Sequence, residues 1–342
     1  MSGRFARALG GEPLVVPPIW LMRQAGRYQV RYQALRARHS FDALCRTPEL
    51  SAEVALGPVI DFDFDAAILF SDLLYPLEAL GMGLSYDEGP PKLDGSLTLE
   101  RVGQFRPLED AAARLVFQRE AMAATRARLP RDKGLIGFVG GPWTLFVYAV
   151  EGTHAGALAR AKAAGDLYRA FAGRVVPLLT ENIRLQFEGG ADLVMVFDTA
   201  AGELAPDVFG RDVAPDLAAL AGAFPKRLGY YAKGLQAAHF AAGDWAARAP
   251  WAGIGLDWRW DLAKALAADM RTGFVQGNFD PSRLLATGRA LEDEIARFVA
   301  PLQALSPDGR RGWICGLGHG VLPQTPEASV RTFVNRVRES FT

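Results

Sequence analysis

Eight short apolar runs punctuate this 342-residue chain, and each leads through a polar or glycine-bearing turn into a helical pattern. They span 18–22 (PIWLM), 66–70 (AAILF), 134–139 (GLIGFV), 191–197 (ADLVMVF), 227–231 (RLGYY), 251–257 (WAGIGLD), 272–276 (TGFVQ) and 311–315 (RGWIC). Most are too short for helices and read as continuous rather than alternating, as strands buried on both faces do. Helix starts stand between them. Thr47-Pro48-Glu49 and Thr325-Pro326-Glu327 each combine a capping residue, a first-turn proline and an acid beside the helix N-terminus, and Asp280-Pro281-Ser282 repeats the arrangement. The segments 107–129, 159–189, 282–300 and 326–341 carry mixed apolar and charged faces at helical spacing. Eight strand-then-helix units predict an α/β fold, a (β/α)8 TIM barrel forming one domain over residues 1–342, with active groups on the loops after the strands. A doubly wound open sheet would favour G-x-G-x-x-G after its first strand, where this chain has RQAGRY. Residues 81–106 read as a long loop or hairpin inserted after strand 2, and 301–311 as a shorter turn-rich connection.

Composition narrows the partners. Lys plus Arg and Asp plus Glu both number 38, so no global field draws nucleic acid or an anionic membrane, and an anionic ligand would need a local cluster of cations. Cys45 and Cys315 lie far apart and form no C-x-x-C, which fits a reducing cytoplasm rather than a disulfide framework. Arg4 and Arg7 precede no long apolar stretch, so the beginning does not read as a secretory signal. No apolar run reaches the roughly 18 residues of a membrane span.

Polar residues gather where the strands end. Met22-Arg23-Gln24-Ala25-Gly26-Arg27-Tyr28 sets two arginines around a glycine, either an anion clamp or a surface ion pair that orients a helix. Ser71 and Asp72 follow the second run, and an acid in so apolar a stretch either serves chemistry or caps the next helix. The third run gives Gly140-Gly141-Pro142-Trp143-Thr144, and a helix starting near Pro142 would point Tyr148 back to the mouth, unless that ring belongs to the core. Thr199 in Asp198-Thr199-Ala200-Ala201-Gly202 is a hydroxyl for a ligand or a helix cap. His319 in Gly316-Leu317-Gly318-His319-Gly320 reads as functional, although the alternate glycines would also let backbone amides approach a phosphate. There is no H-E-x-x-H, P-loop or G-x-S-x-G, and His39, His154, His239 and His319 are scattered without cysteines at zinc-ligand spacing, so no metal site is expected.

Seven blocks in order then bear a resemblance: PPIWLMRQAGRY, AAILFSDLL, FVGGPWTLFVYAVEG, FDTAAG, GLDW at 255–258, QGNFDP at 276–281 and GLGHG at 316–320. With them the chain resembles the uroporphyrinogen decarboxylases nearly end to end. The resemblance implies a single-domain barrel working in the cytoplasm as a homodimer without a cofactor. It would remove carboxyl groups from the four acetate side chains of uroporphyrinogen, a tetrapyrrole, leaving methyls and giving coproporphyrinogen for haem synthesis. It also implies Asp72 as the central carboxylate facing the pyrrole nitrogens, and substrate contacts from Arg23, Gln24, Ala25, Gly26, Arg27 and Arg36. Tyr148, Thr199 and His319 would complete the pocket, with Phe138 and Phe197 as apolar walls. Departures occur at Gln29-Val30-Arg31-Tyr32, where the family usually has LPEY, at Thr199 for a common Ser, and at Gly316 for a common Asn. The altered 29–32 stretch leaves that loop's path and charge open.

The chemistry suits those residues. The implied substrate carries eight carboxylates, which local arginines can hold at about 1.5–3 kcal/mol per charge-assisted bond. A protonated pyrrole can accept the electrons left by departing carbon dioxide, and a fixed anion such as Asp72 would stabilise that cation. The proton donor stays open among Arg23, His319 and Tyr148. Two alternatives remain: a related barrel that transfers methyl groups between corrinoids and thiols with zinc, and a tetrapyrrole-binding protein without catalysis.

Overall fold

The computed structural model describes residues 3–86, 91–242, 245, 249–267 and 273–342. In chain order its strands are β1 (Ala66–Ile68), a hairpin of β2 (Leu84–Ser85) and β3 (Lys92–Leu93), then β4 (Gly134–Gly140), β5 (Leu193–Phe197), β6 (Leu228–Tyr231), β7 (Gly253–Gly255), β8 (Phe274–Phe279) and β9 (Trp313–Leu317). Apart from the antiparallel hairpin, they form one parallel sheet in the order β1-β4-β5-β6-β7-β8-β9. The helices between them pack outside this curled sheet, which accounts for strands buried on both faces.

The expected first strand, 18–22, meets the sheet only through a parallel bridge between Ile19 and Cys315. On the β9 side, Cys315 N–H donates to Pro18 O at 2.9 Å and Trp20 N–H to Cys315 O at 3.3 Å. On the β1 side, Asp65 N–H donates to Ile19 O at 2.8 Å. Ladder bonding stops there for identifiable reasons. Pro17 and Pro18 have no N–H to give. The amides of Ile19 and Leu21 turn to side chains instead, Asp65 Oδ2 at 2.8 Å and Gln24 Oε1 at 3.2 Å. Side chains thus complete the ring where backbone pairing ends.

Alternate residues point inward and fill the barrel: Trp20 and Met22, Ala66 and Ile68, Leu193, Met195 and Phe197, Tyr231, Phe274 and Ile314. Gly229 makes room for two of them, since a Cβ there would lie 2.3 Å from Met195 Sδ. The short helix Arg4–Leu9 closes the floor, with Phe5 against Gly134.

Several boundaries differ from the sequence reading. The runs at 272–276 and 311–315 begin and end early; the strands stop at Phe279 and Leu317, and Thr272 lies outside the described residues. The segment 107–129 divides into helices Leu108–Ala113 and Val116–Arg128, and 159–189 into Ala159–Ala163 and Gly165–Glu188. Asp280 caps a single 3-10 turn, Pro281–Leu285, and the long helix starts later at Gly288 and runs on through Gln303. Within 81–106, residues 87–90 lie outside the described ones.

Candidate active site

A cavity of about 1260 Å³ opens where the strands end, beyond the roughly 300–1,000 Å³ usual for small-ligand pockets. Met22, Ile68, Phe138 and Phe197 form its apolar floor, the last layer of the barrel filling. Phe138 and Phe197 pack with ring centroids 5.7 Å apart. Arg23, Ala25, Gly26, Arg27, Arg36, Asp72, Tyr148, Thr199 and His319 all line it.

Arg23 holds a left-handed backbone with φ of 60°, a conformation unfavourable for a residue with a Cβ, and its side chain lines the cavity. Its stem crosses Gly320, where a Cβ would stand 2.4 Å from Arg23 Cδ. None of Arg23, Arg27 and Arg36 forms an ion pair among the described residues, and Arg36 donates to the His39 carbonyl at 2.6 Å. Arg23 and Arg27 therefore face the cavity rather than forming surface pairs among the described residues.

Asp72 follows β1 with part of its surface open to the cavity. Its Oδ1 accepts from Leu74 N–H at 2.8 Å. Burial pushes its carboxyl up to about 6; the Leu74 amide and the Arg23 charge pull the other way. Tyr148 lies on helix Pro142–Glu151, which starts at the proline as expected, and its hydroxyl meets His154 Nδ1 at 2.5 Å. Burial, then the Asp72 charge, raises the Tyr148 phenol, while Arg23 lowers it. Burial together with Arg23, Lys233, His154 and Arg259 pushes His319 down to about 3. Thr199 makes no hydrogen bond among the described residues, and the following 3-10 turn takes Ala200, not Thr199, at its N-terminus. Asp198, one position earlier, faces away from the cavity and accepts from Thr144 N–H at 2.7 Å.

Gln24 requires a correction. It is fully buried behind the wall, its Oε1 taken by Leu21 N–H and its Nε2 donating to Ala66 O at 2.9 Å. The amide for which the resemblance implied a substrate contact is the clip between 18–22 and β1. The glycines of 316–320 also have another reason than an anion. A Cβ at Gly316 would meet Gln276 Nε2 at 2.5 Å, and one at Gly318 the Trp258 nitrogen at 2.3 Å, so these glycines serve packing.

The unusual stretch at 29–32 lies mostly away from the cavity, with Val30 and Arg31 exposed. Gln29 Nε2 and the Arg31 guanidinium both bind Asp61, the latter through Nη2 to Oδ1 at 2.9 Å, so the added base is neutralised behind the cavity. Only Tyr32 of the four lines the cavity. Sequence reasoning missed His154, which lines the site beside Tyr148. Its signal was present: Gly152 and Gly156, at φ of 77° and 89°, bracket it as glycines bracket His319. His39 lies outside the cavity lining, and His239 caps a helix with Gln236. Among the described residues no three of His, Cys, Asp and Glu gather as metal ligands.

The family model described as "Uroporphyrinogen decarboxylase (URO-D)" matches residues 2–340. A uroporphyrinogen decarboxylase of Trichlorobacter lovleyi is 36% identical over 351 residues, covering 98% of both chains. That of Syntrophotalea carbinolica is 37% identical over 345 residues, covering 97% of this chain and 96% of its own. Among solved structures, a methyltransferase from Methanosarcina mazei superposes with a TM-score of 0.76 at 19% identity, over 99% of this chain and 98% of its own. A B12-independent methionine synthase from Shewanella gives 0.51 at 11% identity, over 95% and 94%. At such identities the two solved structures share the fold alone.

Proposed function

This chain belongs to the uroporphyrinogen decarboxylase family and is a carboxy-lyase of that type, and we propose that the cavity above β1, β4, β5 and β9 is where the reaction takes place. The observation that supports this most is the pairing of Asp72 with arginines that no acid among the described residues neutralises, over an apolar floor broad enough for a macrocycle. Such a cavity suits a ligand with a flat apolar centre and an anionic edge. The Arg23, Arg27 and Arg36 guanidinium groups hold substrate carboxylates; Thr199 and Tyr148 add hydroxyls, and Ala25 and Gly26 let the ring edge approach the backbone.

The substrate is uroporphyrinogen and the product coproporphyrinogen, each of four acetates becoming a methyl. The pyrrole bearing the acetate is protonated at carbon, the carbon–carboxyl bond breaks into the resulting cation, and carbon dioxide leaves. A second proton then completes the methyl as the first is returned, so each acetate consumes one proton overall. No separate cofactor is required, because the ring accepts the electron pair. Asp72 faces the pyrrole N–H groups as a carboxylate and stabilises the cationic ring, an electrostatic contribution worth roughly 3–4 kcal/mol in comparable sites.

Anaerobic incubation with uroporphyrinogen, followed by chromatography of the oxidised products, tests the reading. Coproporphyrin is expected, and unchanged uroporphyrin would leave only a tetrapyrrole-binding role. Zinc analysis of the same preparation addresses the methyl-transfer alternative, which a stoichiometric metal would favour. A homodimer in the cytoplasm accompanies the proposal, supported by the family resemblance; sedimentation at the mass of one chain would sink the dimer. No helix among the described residues is long and apolar enough to cross a membrane.

A further inference from the structure

His319 is held from behind by Tyr231, a residue of β6 whose ring stacks on it with centroids 5.9 Å apart and planes within 19°. The Tyr231 hydroxyl has two neighbours. One is the Gly318 carbonyl oxygen at 2.7 Å, the other His319 Nδ1 at 3.0 Å. A phenol has one proton, and a carbonyl can only accept. That proton therefore lies toward Gly318, and Nδ1 can join the network only by donating its own hydrogen to the phenol oxygen. The opposite ring nitrogen, Nε2, then carries a lone pair. It has no hydrogen-bond partner among the described residues, and His319 lines the cavity.

We propose that Tyr231 is a positioning residue that fixes His319 as the neutral Nδ1–H tautomer, so that the histidine presents a hydrogen-bond acceptor, not a proton, to the substrate. The charges around the ring act in the same direction. Arg23, Lys233 and Arg259 are close enough to disfavour an imidazolium, His154 adds to them, and burial pushes the group down to about 3. Among the described residues the nearby Asp257 carboxylate is already bound to Gly234 N–H and to Arg259.

This inference rests on the decarboxylase reading only for its consequence. In that reaction His319 meets an N–H or O–H donor of the substrate, and a substrate carboxylate can use it only after a proton has been taken up. The proton that completes each methyl comes from another group.

Nitrogen-15 NMR of histidine-labelled protein without substrate tests the tautomer directly, with His319→Asn assigning the signals. Between about pH 6 and 8 one protonated Nδ1 and one bare Nε2 are expected; an imidazolium, or Nε2–H, would overturn the proposal. Tyr231→Phe removes the phenol oxygen, and the Nε2–H form should then be populated. An unchanged Nδ1–H signal in a folded Tyr231→Phe would remove Tyr231 from the assignment. If that variant does not fold, the wild-type spectrum still decides the tautomer. Calorimetric binding of anaerobic coproporphyrinogen in two buffers of different ionisation enthalpy tests the consequence. Equal proton uptake by wild type and His319→Gln is expected, and one extra proton in wild type would overturn the acceptor role. The NMR arm needs no turnover, so a protein inactive on uroporphyrinogen that still shows a bare Nε2 would sink the proposed function and uphold the tautomer.

Discussion

The two halves of the barrel mouth use their polar residues in opposite ways. From the arginine block through the ends of β1, β4 and β5, side chains enter the cavity with bonding capacity unused: among the described residues Arg23 and Arg27 have no acid, Thr199 no partner, and Asp72 a single amide. The loops after β6, β7 and β8 are as rich in distinctive residues, yet none of their described residues lines the cavity. There the polar groups bind one another. Asp257 accepts from Gly234 N–H at 2.6 Å, from Arg259 N–H at 2.9 Å and from the Arg259 side chain at 2.5 Å. Asn278 Nδ2 donates to the carbonyls of Asp257 and Trp260, and Gln276 Nε2 to that of Leu317. Position at a strand end does not make a site; unused hydrogen-bonding and charge capacity beside a cavity does. The β9 loop joins the halves, its His319 facing the cavity while Tyr231 of β6 holds it from behind.

Exchanging one motif carboxylate from each half, Asp72 and Asp257, for a neutral residue is the strongest way to break this comparison. Asp72→Asn should lower turnover at least about a hundredfold, the scale of losing one preorganised charge, while melting no earlier than wild type. Its carboxylate contributes a burial cost rather than a network, which is why the fold should tolerate the change. Near-normal turnover would take Asp72 out of the mechanism. Asp257→Ala should do the reverse. It leaves the part-buried amides of Gly234 and Arg259, and the Arg259 side chain, without their acceptor, and about 1–2 kcal/mol of unfolding free energy should disappear in urea titrations. Activity per folded molecule should stay within about threefold. A stable but inactive Asp257→Ala would place that loop in the site after all.

The pH dependence separates the halves next. Asp72 is the open carboxylate raised to about 6, from an ordinary 3.8. It works ionised, so kcat/KM should fall about tenfold per pH unit below 6. Arg23 favours the carboxylate, so Arg23→Met should move this acid limb to higher pH. Stability runs the other way. With the folded value above the unfolded one, Asp72 contributes its stability in full below about 4 and loses it as pH rises through about 6. Asp72→Asn should flatten both trends. An acid limb that survives unmoved in Arg23→Met would mean another group, or the substrate, sets it.

Much of this architecture was legible because burial on both faces writes itself into composition: the seven strands of the sheet all fall within or beside apolar runs. The first run was the exception. Its apolar residues are indeed buried, but prolines and side-chain acceptors take the ladder's place, and pattern alone cannot distinguish a glutamine that clips two segments from one that meets a ligand. That is how Gln24 was misplaced. The glycines of 316–320 suggested an anion cradle for a similar reason, since a sequence shows where Cβ atoms are missing but not which neighbour needs the space. His154 carried the same glycine-bracketed signature as His319, yet its loop follows a helix rather than a strand. Only the fold shows that helix Pro142–Glu151 returns it to the mouth above Tyr148.

The smallest expected effect comes from the 29–32 stretch. Arg31 and Arg27 lie on one short segment and differ in what they face. The Arg31 guanidinium binds Asp61 in a partly exposed pair, behind the cavity wall. Such pairs are worth about 0–1 kcal/mol, because solvent screens them and two long side chains must be ordered. Arg31→Ala should therefore cost no more than about 1 kcal/mol in unfolding and leave KM within about twofold. Arg27→Ala, removing a charge that no acid of the described protein satisfies, should raise KM about tenfold at little cost in stability, the loss of a charge-assisted contact of about 1.5 kcal/mol. A KM that rises as much for Arg31 as for Arg27 would mean that the Asp61 pair opens when substrate binds. The boundary between the open and the self-bonded parts of the mouth would then run through helix Val30–Arg36 instead of behind it.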